Sequence, residues 1–213
     1  ALGATFDPDL VGEVATVIAR ESRAVGMSQV YAPMLAVSRD PRWGRVEESY
    51  GEDPLLVTRM AVAYIQGAQG KGDAMFGREE VITTPKHMLA DGEPWSGANG
   101  EGFETSDRNL REIHMPPFEA AVRTARTGSV MPAHHALNGV PCHSNHWLLD
   151  TLLRKEWGFD GFVTSDMGDI PKLGIGGGYG GYRLVPGDYE SAIASLNAGV
   201  DMELVGKHYM ADI

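Results

Sequence analysis

Residues 161–169 read GFVTSDMGD, an apolar run that ends abruptly at two polar residues. Gly161 to Thr164 have the composition of a short buried strand, and Ser165 and Asp166 follow it directly. A carboxylate at the end of such a strand is typical of α/β proteins, because these proteins bind ligands at the carboxyl ends of parallel strands.

The rest of the chain repeats this arrangement, with helical and strand-like segments in alternation. The strand-like runs are 30–37, 81–88, 128–137, 161–165 and 199–204, and two of the intervening helices begin with Asp-Pro, at Asp7-Pro8 and Asp53-Pro54. Alternation of this kind predicts an α/β fold with a parallel sheet and crossover helices. Both a barrel and an open doubly wound sheet fit this order, although the glycine-rich nucleotide-binding turn of the latter is not seen in the sequence.

Composition narrows the possible partners. The chain has 213 residues, and its formal charge is 18 minus 29, or −11, which disfavours nucleic acid as a partner. No run of about 18 apolar residues is present, so we expect no membrane partner.

The single cysteine, Cys142, excludes an internal disulfide. The chain starts without Met and close to a helix, and we therefore expect it to be part of a longer protein.

Polar residues cluster after the strand-like runs. They occur in SRDPRWGRVEESYGED (38–53), Lys86-His87, MPAHHALNG (131–139), Ser165-Asp166 and DMELVGK (201–207). Strand ends converge in a parallel sheet, so we expect Asp166 to share a pocket with Lys86, His87 and an arginine from 39–45. Such a pocket fits an uncharged polyhydroxylated ligand, and the carboxylate could act as a nucleophile or a charge stabiliser.

Several longer stretches resemble one family. They are YAPMLAVSRDPRWGRVEESYGEDP (31–54), TPKHMLADGEP (84–94), LREIHMPPFEAAV (110–122), GSVMPAHHALNGVPCHSNHWLLDTLLRKEWGFDGFVTSDMG (128–168) and AGVDMELVG (198–206). In this order they resemble the N-terminal barrel domain of glycoside hydrolase family 3, of the β-glucosidase and β-xylosidase type. The resemblance implies that residues 1–213 form part of a catalytic (β/α)8 TIM-type barrel, incomplete and truncated at both ends, without the domain that bears the acid/base residue.

The resemblance also implies an activity. It is retaining, exo-acting hydrolysis of non-reducing terminal β-D-glucosyl (or xylosyl) residues through a covalent glycosyl-enzyme on Asp166. No cofactor and no metal are implied, and the partner is an oligosaccharide or another β-glycoside. Because the acid/base carboxylate is expected beyond Ile213, we expect the 213 residues alone to act poorly on unactivated glycosides.

Residue roles follow from the same resemblance. Asp166 corresponds to the nucleophile, and the substrate-binding positions are Arg45, Lys86, His87, Met131 and His134. Two positions depart from the family pattern: His134 stands where many relatives have a tyrosine, and Ala98 where they often have an arginine. A histidine beside Asp166 would make its environment more sensitive to pH than a phenol would.

Competing interpretations exist for other polar and aromatic residues. The pairs His134-His135 and His143-x-x-His146 could suggest a metal site, but we expect none, since His135 and the 143–146 pair fit local hydrogen bonding. The glycine run 174–181 fits a loop at the rim of the sugar site better than a phosphate cradle. Trp95 is the better candidate than Trp43 for stacking on a sugar. One of Arg39, Arg42 and Arg45 is expected to pair with Glu47, Glu48 or Glu52, and Asp201 and Glu203 are expected to be scaffold residues.

Two other functions stay open on the sequence. One is a carbohydrate-binding relative that has lost its chemistry, which the His134 and Ala98 departures would support. The other is a phosphorylase, in which phosphate replaces water. The sequence does not distinguish glucose from xylose, nor does it give the linkage, the oligomeric state or the compartment, which could be periplasmic, secreted or cytoplasmic.

Overall fold

The helices of the computed structural model follow the predicted order. The structure describes residues 1–72, 75–175 and 181–210. Its helices are α1 Pro8–Ala24, α2 Pro54–Gln69, α3 Met115–Arg123, α4 Trp147–Glu156, α5 Asp169–Lys172 and α6 Asp188–Ala198. Shorter helical segments are Leu2–Thr5, Val46–Glu48, Asp107–Asn109, Leu110–His114 and Cys142–Ser144. The segment Leu110–His114 and α4 are wound as π-helices.

The strands are short: β1 Gln29–Val30, β2 Ile82–Thr83, β3 Ser129–Val130, β4 Ala136–Leu137, β5 Val140–Pro141 and β6 Phe162–Val163. β1 pairs in parallel with β2, and β3 with β6. Single parallel bridges join Met88 to Pro132 and Thr164 to Met202. The predicted strand-like runs therefore lie side by side in chain order and in parallel, as in an α/β protein, and the strands of the described residues do not close into a ring.

One predicted strand is wrong at its end. The run 128–137 is not a single strand, because β4 turns back on β5 as an antiparallel hairpin. Asn138 and Gly139 form the turn, with φ values of 48° and 80°. Both residues tolerate this left-handed conformation, and Asn-Gly is the usual sequence of a two-residue hairpin turn.

Both predicted Asp-Pro helix starts are confirmed. Oδ1 of Asp7 accepts the Leu10 N–H at 3.1 Å, and Oδ1 of Asp53 accepts the N–H groups of Leu55 and Leu56. Each carboxylate therefore satisfies N–H groups that the first helical turn leaves unpaired.

The packing of α1 against α2 depends on small residues. Val11, Ala15 and Ala19 of α1 are buried, whereas Leu10 and Val17 are exposed. A Cβ added to Gly67 of α2 would lie 2.2 Å from the carbonyl oxygen of Gly12. The helix backbones approach so closely that the buried stripe of α1 is narrower than its apolar residues suggest.

A large hydrophobic core lies between the helices and the strands. It includes Leu35, Met88, Val130, Leu149 and Val163, all of them almost completely buried. In the described part of the chain, no helix has both the length and the apolar character needed to cross a bilayer. The core fixes the strand positions, so the polar residues that follow the strands are brought to one region.

Candidate functional site

Asp166 is held by its backbone immediately after β6. Ser165, completely buried, donates its N–H to the Met202 carbonyl at 2.7 Å. The N–H of Asp166 donates to Nε2 of His143 at 2.9 Å, and the N–H of Met167 donates to Oδ1 of Asp166 at 2.6 Å. The carboxylate is thus fixed on both sides while its side chain stays 13% exposed.

Two histidines converge on the other oxygen of this carboxylate. Oδ2 of Asp166 lies 3.0 Å from Nε2 of His87 and 2.9 Å from Nε2 of His134. The two imidazole rings lie 5.1 Å apart, centroid to centroid. Three residues from three different strand ends therefore meet at one oxygen atom.

A second carboxylate lies behind each of these histidines. Nδ1 of His87 is 2.8 Å from Oδ2 of Asp91, and Nδ1 of His134 is 2.7 Å from Oδ2 of Asp169. Asp91 and Asp169 are both almost fully buried. Each imidazole thus lies between an inner carboxylate, Asp166, and an outer one.

The histidines determine the charge of Asp166. Burial alone would raise the pKa of this carboxyl, but hydrogen bonds from His134 and His87 outweigh burial and hold the pKa well below its usual range. Burial likewise would lower the pKa of His134, yet its contacts with Asp166 and Asp169 raise that pKa to about 10. At neutral pH the site therefore contains an ionised Asp166 facing a His134 cation.

Arg45 and Lys86 add positive charge to this region. Arg45 forms a two-point ion pair with Glu48, with N–O distances of 2.7 and 2.9 Å. Arg45 is therefore itself the arginine that pairs with a nearby glutamate. Burial lowers the pKa of Lys86, and the Arg45 cation lowers it further, while Asp166 acts in the opposite direction.

A cavity of about 750 Å³ opens beside Asp166. Its walls are formed by Asn99, Gly100, Glu101, His134, Asp166, Met167, Lys172, Gly181 and Tyr182. Of the six predicted site residues, Asp166 and His134 belong to these walls. His87 reaches the site through its contact with Asp166, and Met131 is buried next to the 86–88 segment, with its carbonyl accepting the Met88 N–H at 2.8 Å.

The other candidate residues of the sequence have scaffold roles or lie at the surface. Trp43 is buried and donates from Nε1 to Asn99, whereas Trp95 is 60% exposed. Asp201 accepts hydrogen bonds from Arg154 and from the Val163 N–H, as expected of a scaffold residue. Arg39 pairs with Glu93 and Arg42 with Asp40. Residues 176–180 of the glycine run lie outside the described residues.

The atoms that could hold a metal ion are those of the carboxylate site. In the described residues, ligand atoms of His87, His134 and Asp166 lie within 4.8 Å of one another. His143 and His146 do not meet, since His143 is buried behind Asp166 whereas the His146 side chain is 61% exposed near Asp150. The three clustered residues already contact one another, and the arrangement is that of an ion-paired carboxylate.

Sequence reasoning assigned no role to several residues that shape this site, namely Asp91, Asp169, His143, Lys172 and Tyr182. Nζ of Lys172 and the hydroxyl of Tyr182 both donate to the His134 carbonyl, at 2.6 and 3.0 Å. A signal did exist for Asp91, because it follows its partner His87 by four positions, whereas Asp169 lies 35 positions after its partner His134. His143 carried no such signal, since its partner is a backbone N–H.

The sequence of this chain is similar to those of known glycoside hydrolases. The sequence profile described as "Glycosyl hydrolase family 3 N terminal domain" matches residues 1–213. A β-xylosidase from Formosa agariphila is 49% identical over 206 residues, which are 96% of this chain and 28% of that protein.

Solved structures show the same relationship. A β-glucosidase from Erythrobacter marinus matches with a TM-score of 0.92 and 33% identity, covering 98% of this chain and 27% of that one. A β-glucosidase from Listeria innocua in complex with glucose matches with a TM-score of 0.88 and 34% identity, covering 98% and 28% of the two chains. The chain spans little more than a quarter of each of these relatives, and it belongs to glycoside hydrolase family 3, within the N-terminal domain of that family.

Proposed function

We propose that this chain carries the nucleophile and part of the sugar-binding site of a retaining, exo-acting β-glycosidase. The observation that carries the proposal is the position of Asp166: an ionised carboxylate in the wall of a cavity, with one oxygen held by His87 and His134. A carboxylate that stays ionised at neutral pH can attack an anomeric carbon without first losing a proton.

The reaction has two steps. An oxygen of Asp166 attacks the anomeric carbon, the glycosidic bond breaks, and a carboxylic acid outside these 213 residues protonates the leaving oxygen. Water then attacks the same carbon, the bond to Asp166 breaks with its electron pair returning to the carboxylate, and the external carboxylate takes the proton of the water. Retaining enzymes need two carboxyl groups about 5 Å apart for this chemistry.

The remaining predicted residues bind the sugar in this proposal. Arg45, Lys86 and His87 contact ring hydroxyls, and their hydrogen bonds strengthen as charge develops in the transition state. His87 can make such a contact by moving from Oδ2 of Asp166, and Arg45 by sharing its guanidinium between Glu48 and a hydroxyl. Met131 packs below this subsite, and His134 takes the position beside the nucleophile that a tyrosine occupies in many relatives.

The same proposal covers the fold and the domain organisation. Residues 1–213 form part of a (β/α)8 barrel, and the acid/base carboxylate comes from another part of the complete protein. Parallel pairing of the strands in chain order supports the barrel, as does the TM-score of 0.92 to a β-glucosidase.

The substrate class we propose is a non-reducing terminal β-D-xylosyl or β-D-glucosyl residue. The 49% identity to a β-xylosidase supports a xyloside, whereas the similar structures from Erythrobacter marinus and Listeria innocua are β-glucosidases and support a glucoside. Assays of the full-length protein on aryl β-xyloside and aryl β-glucoside, run side by side, distinguish these two sugars.

The test of the nucleophile is Asp166→Ala in the full-length protein. We expect the activity on aryl glycosides to fall by at least about 10³-fold, as for other catalytic nucleophiles. Wild-type protein treated with a 2-deoxy-2-fluoroglycosyl fluoride is expected to gain one sugar on the peptide that contains Asp166. The control is Asp160→Asn, which changes an exposed carboxylate that does not belong to the cavity walls. Activity of the Asp166 variant within tenfold of wild type would contradict the proposal, and so would a label on another residue.

A further inference from the structure

Asp169 is a buried carboxylate that the proposed reaction does not use. It is 4% exposed, it begins α5, and its Oδ2 lies 2.7 Å from Nδ1 of His134. The other ring nitrogen of His134, Nε2, lies 2.9 Å from Oδ2 of Asp166. One imidazole therefore bridges two carboxylates.

This bridge requires a protonated ring. A carboxylate that is ionised can only accept hydrogen bonds, so both nitrogens of His134 must donate. Neutral imidazole has one N–H, and it would leave one lone pair facing a carboxylate at hydrogen-bond distance. The geometry thus favours the His134 cation while both carboxylates are ionised.

The charges around His134 change during the proposed reaction. In the glycosyl-enzyme, Asp166 is an ester and carries no charge, so Asp169 is the carboxylate that still contacts His134. In the second step the ester bond breaks and its electron pair returns to Asp166. A donor that is still charged can stabilise that departing carboxylate.

We propose that Asp169 is a positioning residue for this second step: it keeps His134 doubly protonated while Asp166 is esterified, so that Nε2–H donates to the carboxylate as it departs. The inference rests on the proposed function. Asp169 does not touch the sugar or the anomeric carbon, and it acts through His134.

The surroundings hold Asp169 in place for this role. Nζ of Lys172 lies 3.7 Å from its Oδ1, and Nδ1 of His143 lies 3.8 Å from its Oδ2. Lys172 also donates to the His134 carbonyl, so it fixes both partners of the bridge. Among the residues that the structure describes, several titratable groups surround His134. They are Asp166, Asp169 and Lys172 from the β6–α5 region, His87 from the segment after β2, His143 from the segment after β5, and Tyr182 and Glu101 at the cavity wall.

The test compares Asp169→Asn with wild type in the full-length protein. Asparagine keeps the size and can still hydrogen-bond Nδ1, but it removes the charge. A 2,4-dinitrophenyl glycoside makes the second step rate-limiting, because its leaving group needs no protonation. We expect kcat to fall about tenfold or more, because a charged hydrogen bond is lost in the rate-limiting step. KM should fall in parallel, so kcat/KM should change little.

The pH dependence gives a second readout. We expect kcat of Asp169→Asn to decline at lower pH than kcat of wild type, and Asp169→Glu to restore part of the wild-type profile. If Asp169→Asn does not fold, His134→Gln serves instead, and we expect its kcat on this substrate to lack the alkaline decline of wild type. Control Asp160→Asn should match wild type.

The experiments distinguish a wrong role for Asp169 from a wrong proposed function. Unchanged kcat and pH profile in Asp169→Asn, with Asp166 still labelled by the fluoroglycoside, would overturn the role of Asp169 alone. Equal losses of kcat and kcat/KM would also overturn it, because they indicate a misplaced Asp166. Absence of any label on Asp166 in wild type would remove the proposed function and this inference with it.

Discussion

The backbone N–H of Asp166 donates a hydrogen bond to Nε2 of His143, 2.9 Å away. Nε2 can accept only when the ring is neutral and carries its proton on Nδ1, which faces Asp169 at 3.8 Å. Burial lowers the pKa of His143, which favours this neutral form. The site therefore contains one neutral histidine that fixes the backbone of Asp166 and one charged histidine, His134, that contacts its carboxylate.

The first prediction concerns the acceptor on His143. His143→Phe leaves the partly buried N–H of Asp166 without its partner, and we expect the free energy of unfolding to fall by about 1–3 kcal/mol. His143→Gln keeps an oxygen that can accept this N–H, so its loss should be smaller. Urea denaturation of the full-length protein measures both values. Equal stability of the two variants would show that this hydrogen bond contributes nothing measurable.

The second prediction concerns the pH dependence of stability. The pKa of His134 is raised to about 10 in the folded protein, above the ordinary value of about 6.5. Its stabilising contribution is therefore complete below pH 6.5 and is lost as the pH rises from 6.5 to 10. The slope should approach one proton, roughly 1.4 kcal/mol per pH unit.

His134→Gln removes this titrating group, and we expect it to flatten the stability profile between pH 6.5 and 10. The measurement is the free energy of unfolding at a series of pH values for wild type and variant. Profiles that run parallel over this window would mean that His134 is not charged in the folded protein.

The sequence predicted the order and type of the helices and strands better than the residues at which they begin and end. Asp7-Pro8 and Asp53-Pro54 are local signals, since the cap and the N–H groups it accepts lie within three residues, and both helix starts are confirmed. The run 128–137 is not one strand, since apolar composition alone does not show where a strand turns, although Asn138-Gly139 is the usual sequence of a hairpin turn. Which residues of α1 are buried depends on how closely α2 approaches, and this distance is set by the packing of the two helices and not by the sequence of α1 alone.

The contacts of the site could likewise be predicted only in part from the sequence. The gathering of Asp166, His87 and His134 follows from strand ends that meet in a parallel sheet, so it could be anticipated from sequence order. The contact between Asp169 and His134 depends on the course of the chain after β6, which no spacing rule gives. The pairing of Arg45 with Glu48, three residues away, is a local contact that sequence spacing indicates, and the contact of Arg45 with a sugar stays a prediction.

The third prediction compares two glycines at the contact between α1 and α2. An added Cβ at Gly67 would meet the Gly12 carbonyl oxygen at 2.2 Å, whereas a Cβ at Gly12 would meet the Ala63 carbonyl oxygen at 3.4 Å. We expect Gly67→Ala to destabilise the protein, because the helices must separate, and Gly12→Ala to be neutral or stabilising by up to about 1 kcal/mol through helix propensity. Thermal unfolding of both variants checks the sign, and a stabilised Gly67→Ala would contradict the close approach.

The fourth prediction concerns Asp91, the buried carboxylate behind His87. Its Oδ2 lies 2.8 Å from Nδ1 of His87 and its Oδ1 3.6 Å from Nδ1 of His135. Burial alone would raise the pKa of Asp91, but the two histidines outweigh it and hold the pKa well below its usual value. The stabilising contribution is therefore present above about pH 3.9, the ordinary pKa, and is lost as the pH falls through the lower folded-state pKa.

Asp91→Ala removes the charge that both histidines face, and we expect a loss of about 3 kcal/mol in the free energy of unfolding. We also expect kcat/KM to fall, because His87, which binds a sugar hydroxyl in the proposed function, would lose the carboxylate that orients its ring. Asp91→Asn should retain more stability, since its amide oxygen can still accept a hydrogen bond from one histidine. The control, Glu112→Gln, removes an exposed ion pair with Arg108 and should leave both quantities unchanged. If Asp91→Ala lost stability but kept its full kcat/KM, the carboxylate would support the fold without directing His87.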